Sequence, residues 1–158
     1  SEMCIRDRES DDVNPERASA GTQFCFVQGK KHTDAELDEK EVRINQIRRN
    51  WLYYKFLDQL KKEDPALAAD SLETELTNRA LVMVEDTLAD LGPYVIPAEH
   101  REVYKTVGGV PHLDSSVTIF GEVVDGFDIV EKMSLVKTDK NDRPIRDVMI
   151  KSTKVFQK

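Results

Sequence analysis

GGVPHLDSSVTIFGEVVDGFDIVEKM, residues 108–133, changes character twice along its length. Gly108, Gly109 and Pro111 mark a turn, since two residues without a Cβ and one with a locked φ interrupt any regular element. Val117 to Val123 then places β-branched and aromatic residues in a run of strand length. Gly126 separates that run from Ile129, Val130 and Met133, whose spacing predicts a short helix. A turn, a strand and a short helix in this order set the frame for the rest of the chain.

Working towards the N-terminus, TQFCFVQG (residues 22–29) puts Phe24 and Phe26 on one side and Cys25 and Val27 on the other. This predicts a strand buried on both faces and closed by Gly29, with Cys25 a small buried thiol. Between the two strands, Thr33 followed by Glu36 fits a capping box. Leu37, Ile44, Ile47, Trp51 and Tyr54 continue from it at helical steps, which predicts a long amphipathic helix over roughly residues 34–62. Asp64-Pro65 interrupts it, and Leu72, Leu76, Met83 and Leu91 predict a second helix ended by Gly92-Pro93. Together they form a helical hairpin. The charge runs Asp38–Glu41 and Lys61–Asp64 read as the solvated faces of these helices.

Residues 9–20 are polar and small, with Asn14-Pro15, and read as a surface loop. At the other end, Asp139 to Pro144 form a polar turn, and Val148-Met149-Ile150 through Val155-Phe156 predict a closing strand. Asp139-Lys140-Asn141-Asp142 is no calcium loop, for it lacks the glycine at the sixth position and the glutamate at the twelfth. The opening residues SEMCIRDR have neither helical nor strand period. They resemble a translated sequencing adapter, so residues 1–8 are read as non-native and set outside the fold.

The 158 residues carry 23 Lys and Arg against 30 Asp and Glu, a formal charge of −7. That sign does not suit a partner made of phosphates, and no basic stripe interleaves with aromatics, so nucleic acid is excluded. No stretch approaches the roughly 18 apolar residues of a membrane-spanning helix. His32, His100 and His112 are scattered, and the two cysteines, Cys4 and Cys25, stand in no metal-ligand spacing. No metal and no cofactor is expected.

Two separated segments, SAGTQFCFVQG (residues 19–29) and residues 108–133, are similar in order and content to strands of the cyclophilin-type peptidyl-prolyl cis-trans isomerases. The tail DRPIRDVMIKSTKV suits the last strand of that family's barrel. The helical hairpin looks like an insertion carried by some Bacteroidetes-type members. The resemblance implies a mainly β fold, an incomplete cyclophilin-like barrel with an α-helical hairpin inserted over about residues 33–104, and α+β by content. Residues 9–158 would be the C-terminal part of one such domain. The function implied is isomerisation of Xaa-Pro bonds in proline-containing peptides or unfolded clients, and the localisation leans to the cell envelope.

In the family an arginine donates to the prolyl nitrogen. It lies in a Phe-His-Arg stretch upstream of Phe-Met-Ile-Gln-Gly-Gly-Asp, and neither stretch occurs here. The chain is therefore expected to be inactive and to hold no catalytic residue. Its substrate-binding residues by resemblance are Gly21, Thr22, Gln23, Cys25, His112, Leu113 and Val117. Gln23 matches the glutamine that contacts the substrate backbone. Cys25 stands where the family has an aromatic pocket floor, His112 where it has a rim tryptophan, Leu113 at an apolar wall, and Val117 where many members carry histidine or tyrosine. Phe24 and Phe120 read as barrel core. The alternative function is a noncatalytic interaction module that works through the helical hairpin.

Overall fold

The computed structural model describes residues 3–114 and 116–156. They fall into two compact units, Ser1–Glu122 and Val123–Lys158. The first holds a sheet and three helices. Strand β1 spans Met3–Arg6, β2 Phe24–Val27 and β3 Thr118–Glu122; helix α1 spans Asp34–Glu63, α2 Glu73–Leu91 and α3 Ala98–Thr106. The second unit holds helix α4, Phe127–Ser134.

The sheet runs β2-β1-β3, antiparallel throughout. Residues set outside the fold by their lack of period thus form its middle strand. Cys4 and Ile5 are buried in it, and only four residues are needed, too few for a period of two to show. A register shift between Cys4 and Ile5 leaves Phe120 as the extra residue of β3, because Cys4 faces Gly121 while Ile5 faces Ile119. Such a bulge re-aims a side chain. Here it brings Phe120 to the face that carries Arg6, Phe24 and Phe26.

This open sheet is not the mainly β structure expected. About half of the residues are helical and three short strands cannot close, so α+β by content is the description that holds. Nor is β2 buried on both faces. Phe24, Cys25 and Phe26 are exposed and only Val27 is buried, since no layer covers the aromatic side. The closing strand is absent as well. Residues 145–156 take no regular structure, and Ile150, Val155 and Phe156 stand in solvent because no strand pairs with them. The Asp139–Pro144 turn does form, closed by Asp139 N–H to the Arg143 carbonyl at 2.8 Å.

Helix α1 starts as its sequence predicts. Thr33 accepts from the Glu36 N–H, and the Glu36 carboxylate accepts from the Thr33 N–H. That backbone donor and the Lys30 ammonium hold the Glu36 carboxyl down at about 2. A depressed value stabilises above the ordinary 4.5 and is lost as pH falls towards 2. Amide exchange in the first turn of α1 should therefore quicken as pH drops through that window, and Glu36→Gln should remove the dependence while leaving the turn less protected at neutral pH.

Helices α1 and α2 form the expected hairpin. Leu60, Leu67, Leu76 and Ala80 make its buried cluster, flanked by Tyr53, Phe56 and Leu57. Leu91 does not join it and is exposed, since eight residues beyond Met83 is roughly 80° off the same face.

Helix α3 was not anticipated, because AEHREVYKT offers only Val103 and Tyr104 as apolar signals. It is held by a second cluster of Leu37, Ile96 and Tyr104 and by Arg101, which bonds Asp38 at 2.6 Å and Glu41 at 2.8 Å. Glu41 also accepts from the Ile96 N–H at 2.9 Å. The Asp38–Glu41 run is therefore a fastening for α3 rather than a purely solvated face.

The two ends of this helical region meet where Lys30 and Gly109 exchange backbone hydrogen bonds of 3.3 and 3.0 Å. The approach demands glycine. A Cβ on Gly29 would lie 2.7 Å from the Gly109 Cα, and Gly108 sits at φ +102°.

Candidate functional site

The turn before β2 is fixed from three sides. Ala20 N–H donates to the Asp7 carbonyl at 2.7 Å, Ser19 and Thr118 hydroxyls lie 2.8 Å apart, and Arg6 Nη1 donates to the carbonyls of Ala20 and Gly21 at 3.4 and 3.3 Å. Gly21, Thr22 and Gln23 thereby line an open cavity of about 370 Å³ together with Phe24, Phe26 and Phe120. The aromatic rings meet edge to face, Phe24 with Phe26 at 5.6 Å and with Phe120 at 6.4 Å. The Arg6 guanidinium lies 5.9 Å from the Phe120 ring. An apolar floor beside an amide and backbone carbonyls is the chemistry that holds an apolar ring while bonding its peptide groups.

The other expected site residues are placed elsewhere. Cys25 points to the opposite face of β2, exposed rather than buried. Its thiol lies 3.8 Å from the Asp7 carboxylate, and partial burial followed by that negative charge pushes the thiol up. His112 lines a separate cavity of about 320 Å³ with Trp51, Tyr94 and Arg48. Burial, with Arg43 and Lys40 adding to it against Asp114, moves the imidazole below its ordinary value. Leu113 belongs to the short helical turn Pro111–Leu113; it and Val117 are half-buried and line neither cavity. Of seven expected residues, three come together, and His112 adjoins a different hollow.

Arg6, Phe24, Phe26 and Phe120 were not foreseen as site residues; Phe24 and Phe120, expected in a barrel core, stand exposed at this cavity instead. Alternation in FCFV does put Phe26 with Phe24, but Arg6 lies in the segment set aside, and no sequence signal marks the bulge that turns Phe120. Among the described residues, no group of three or more His, Cys, Asp or Glu could hold a metal ion, and no helix is long and apolar enough to cross a membrane.

Comparison with known proteins agrees with the second motif. Residues 101–155 match the family described as cyclophilin type peptidyl-prolyl cis-trans isomerase/CLD. Peptidyl-prolyl cis-trans isomerase CYP71 of Arabidopsis thaliana is 42% identical over 64 residues, covering 40% of this chain and 10% of that protein. Peptidyl-prolyl cis-trans isomerase-like 1 of Emericella nidulans is 41% identical over 71 residues, 45% of this chain and 42% of its own. Peptidyl-prolyl cis-trans isomerase ppi1 of Schizosaccharomyces pombe is 36% identical over 64 residues, 40% and 39% of the two chains. The chain thus spans less than half the length of these relatives. No solved structure matches. Through the part that begins in α3 and runs across the Gly108–Met133 motif into the tail, the chain is similar to the cyclophilin-type peptidyl-prolyl cis-trans isomerases.

Proposed function

We propose that these residues are part of a prolyl isomerase that assists folding by acting on extended Xaa-Pro segments, and that Gln23 and the aromatic floor beside it bind the substrate. What supports this reading is the family match over residues 101–155, joined to the gathering of Gly21, Thr22 and Gln23 around Phe24, Phe26 and Phe120. Rotation about an Xaa-Pro bond faces a barrier of about 20 kcal/mol, because the nitrogen lone pair is delocalised into the carbonyl. Three actions lower it: gripping the ring in an apolar hollow, withholding water from the carbonyl, and donating a hydrogen bond to the nitrogen as its lone pair localises.

The cavity beside Gln23 has parts for the first. For the third, the chain has neither Phe-His-Arg nor Phe-Met-Ile-Gln-Gly-Gly-Asp, and the guanidinium of Arg6, which lines the cavity, is turned to the carbonyls of Ala20 and Gly21. The reading is therefore of a binding wall without its donor. In a protease-coupled assay on an Ala-Pro peptide, the purified 158-residue chain should leave the isomerisation rate within about twofold of the uncatalysed one, a barrier change under roughly 0.5 kcal/mol. Acceleration by a hundredfold or more would overturn it.

A second reading, an interaction module working through the helical hairpin, has its own support. A hollow of about 720 Å³ lies between α1 and the Gly92–Val95 segment, with Val42, Leu88 and Val95 on its walls. Pull-down of unfolded clients that survives Gln23→Ala but fails with Val42→Asp would favour this module over the sheet.

A further inference from the structure

The charge of the chain is unevenly spread. Residues 33–104 hold 16 Asp and Glu against 9 Lys and Arg, which is the whole of the formal −7, so the remainder is neutral in sum. Within this helical region the acids gather at two places. The first turns of α1 carry Asp34, Glu36, Asp38, Glu39 and Glu41 against Lys40 alone. From Ala80 to its cap Gly92, α2 carries Glu85, Asp86 and Asp90 and no lysine or arginine. Both stretches border the hollow of about 720 Å³ between α1 and the Gly92–Val95 segment, where Asp38 and Leu88 form part of the lining.

The walls of this hollow are fixed. Asn45 Nδ2 donates to the Tyr94 carbonyl at 2.9 Å and its Oδ1 accepts from the Tyr94 N–H at 2.8 Å, while Arg48 Nη1 donates to the Gly92 carbonyl at 3.0 Å. Arg49 on the wall is held by Glu85, so the last turns of α2 face the 45–49 side of α1 and Asp38 stands at the far end. Asp38 binds Arg101 and is still 68% exposed. Asp86 and Asp90 are exposed near the C-terminus of α2, whose last turn holds no basic residue. A helix C-terminus carries a partial negative charge that favours cations, so a cation from outside would relieve these acids. Between the two acidic ends lie Val42, 73% exposed, and Val95, 62% exposed. Valine on a wet helix face gains no burial and loses rotamer freedom.

We propose that this hollow docks a basic amphipathic helix of a partner protein. Its apolar side chains pack on Val42, Leu88 and Val95, and its lysines or arginines lie beside Asp38 and at the C-terminal end of α2. Apolar anchors one helical turn apart with cations around them match an apolar strip between two acidic ends. A second copy of this chain is the wrong occupant, because its own hairpin carries the same negative charge. The proposal rests on the reading of the hairpin as an interaction surface and gives that surface its partner.

The test titrates the 158-residue chain, followed by its amide spectrum, with a short peptide of Lys, Leu and Ala that has leucines at helical steps. Two companions carry glutamate for every lysine or serine for every leucine. The first peptide should shift Val42, Leu88 and Val95 along one saturation curve, and each companion should bind at least about tenfold more weakly. Val42→Asp separates docking from plain charge attraction, since it adds a negative charge while spoiling the apolar strip. Docking predicts a loss of about tenfold, and charge attraction alone predicts a gain. Val95→Asp carries the same expectation should the first variant not fold. Replacing Asp86 and Asp90 together by lysine should weaken binding by about threefold, and Gln23→Ala should leave it unchanged. The proposal is overturned if the serine peptide binds as well as the leucine one, or if both aspartate variants bind as tightly as the parent. Equal shifts from the glutamate peptide overturn the basic partner and leave the hairpin surface standing. Silence of Val42, Leu88 and Val95 towards all three peptides up to about 1 mM ends both.

Discussion

Deleting residues 1–8 should abolish the sheet. β1 is paired on both sides, Met3 to Arg6 with Val27 to Phe24 on one flank and with Glu122 to Thr118 on the other, and β2 and β3 have no pairing of their own. Without the middle strand their backbone donors and acceptors return to water, and the buried side chains of Cys4 and Ile5 leave the core. Arg8, which anchors to Asp11 and the Ser116 carbonyl, goes too. Amides of Phe24–Val27 and Thr118–Glu122 should lose all protection from hydrogen exchange. The hairpin should keep its own, because the cluster of Leu60, Leu67, Leu76 and Ala80 contains nothing from residues 1–8. Unchanged protection in β2 and β3 would mean that residues 1–8 can be set aside after all, as their lack of period suggests.

Leu37→Ala should be the most costly single substitution in the helical region. Leu37 is fully buried and, with Ile96 and Tyr104, ties the first turn of α1 to α3. Truncating a leucine at such a site costs about 2–5 kcal/mol, the lost transfer energy plus the cavity left behind. The upper half of that range is expected, because the surrounding segment is pinned by Glu41 to the Ile96 N–H and to Arg101 and cannot collapse inward. Val42→Ala, one turn on but 73% exposed, should cost under about 0.5 kcal/mol. Urea unfolding followed at 222 nm compares the two; equal midpoints would contradict the packing described for α3.

The helical hairpin was legible almost to the residue, because its signals are local. The Thr33 and Glu36 pair, the stop at Asp64-Pro65 and the stop at Gly92-Pro93 each act within one turn. The sheet was legible only in two of its strands. FCFV and TIFGE carry strand composition, but whether a strand is covered depends on residues far away in sequence, and here the aromatic face of β2 has no cover. The tail shows the same limit. VMIKSTKVF has the residues of a strand and none of the pairing, so it stays irregular.

For the site, resemblance gathered Gly21, Thr22 and Gln23 because they are neighbours on one turn. It placed Cys25 on the wrong side for the aromatic floor, since a strand alternates and Phe24 and Phe26 face the cavity. Trp51 was read as part of a core stripe, and only the fold of the Asn14–Arg17 loop brings a carbonyl and a guanidinium to it.

The most direct test of the binding wall is the amide spectrum of the 158-residue chain titrated with a short Ala-Pro peptide. Gly21, Thr22, Gln23 and Phe120 should shift together along one saturation curve, and Gln23→Ala should flatten it. Shifts confined to other residues, or a curve indifferent to Gln23, would contradict the assignment of this cavity to proline-containing substrates.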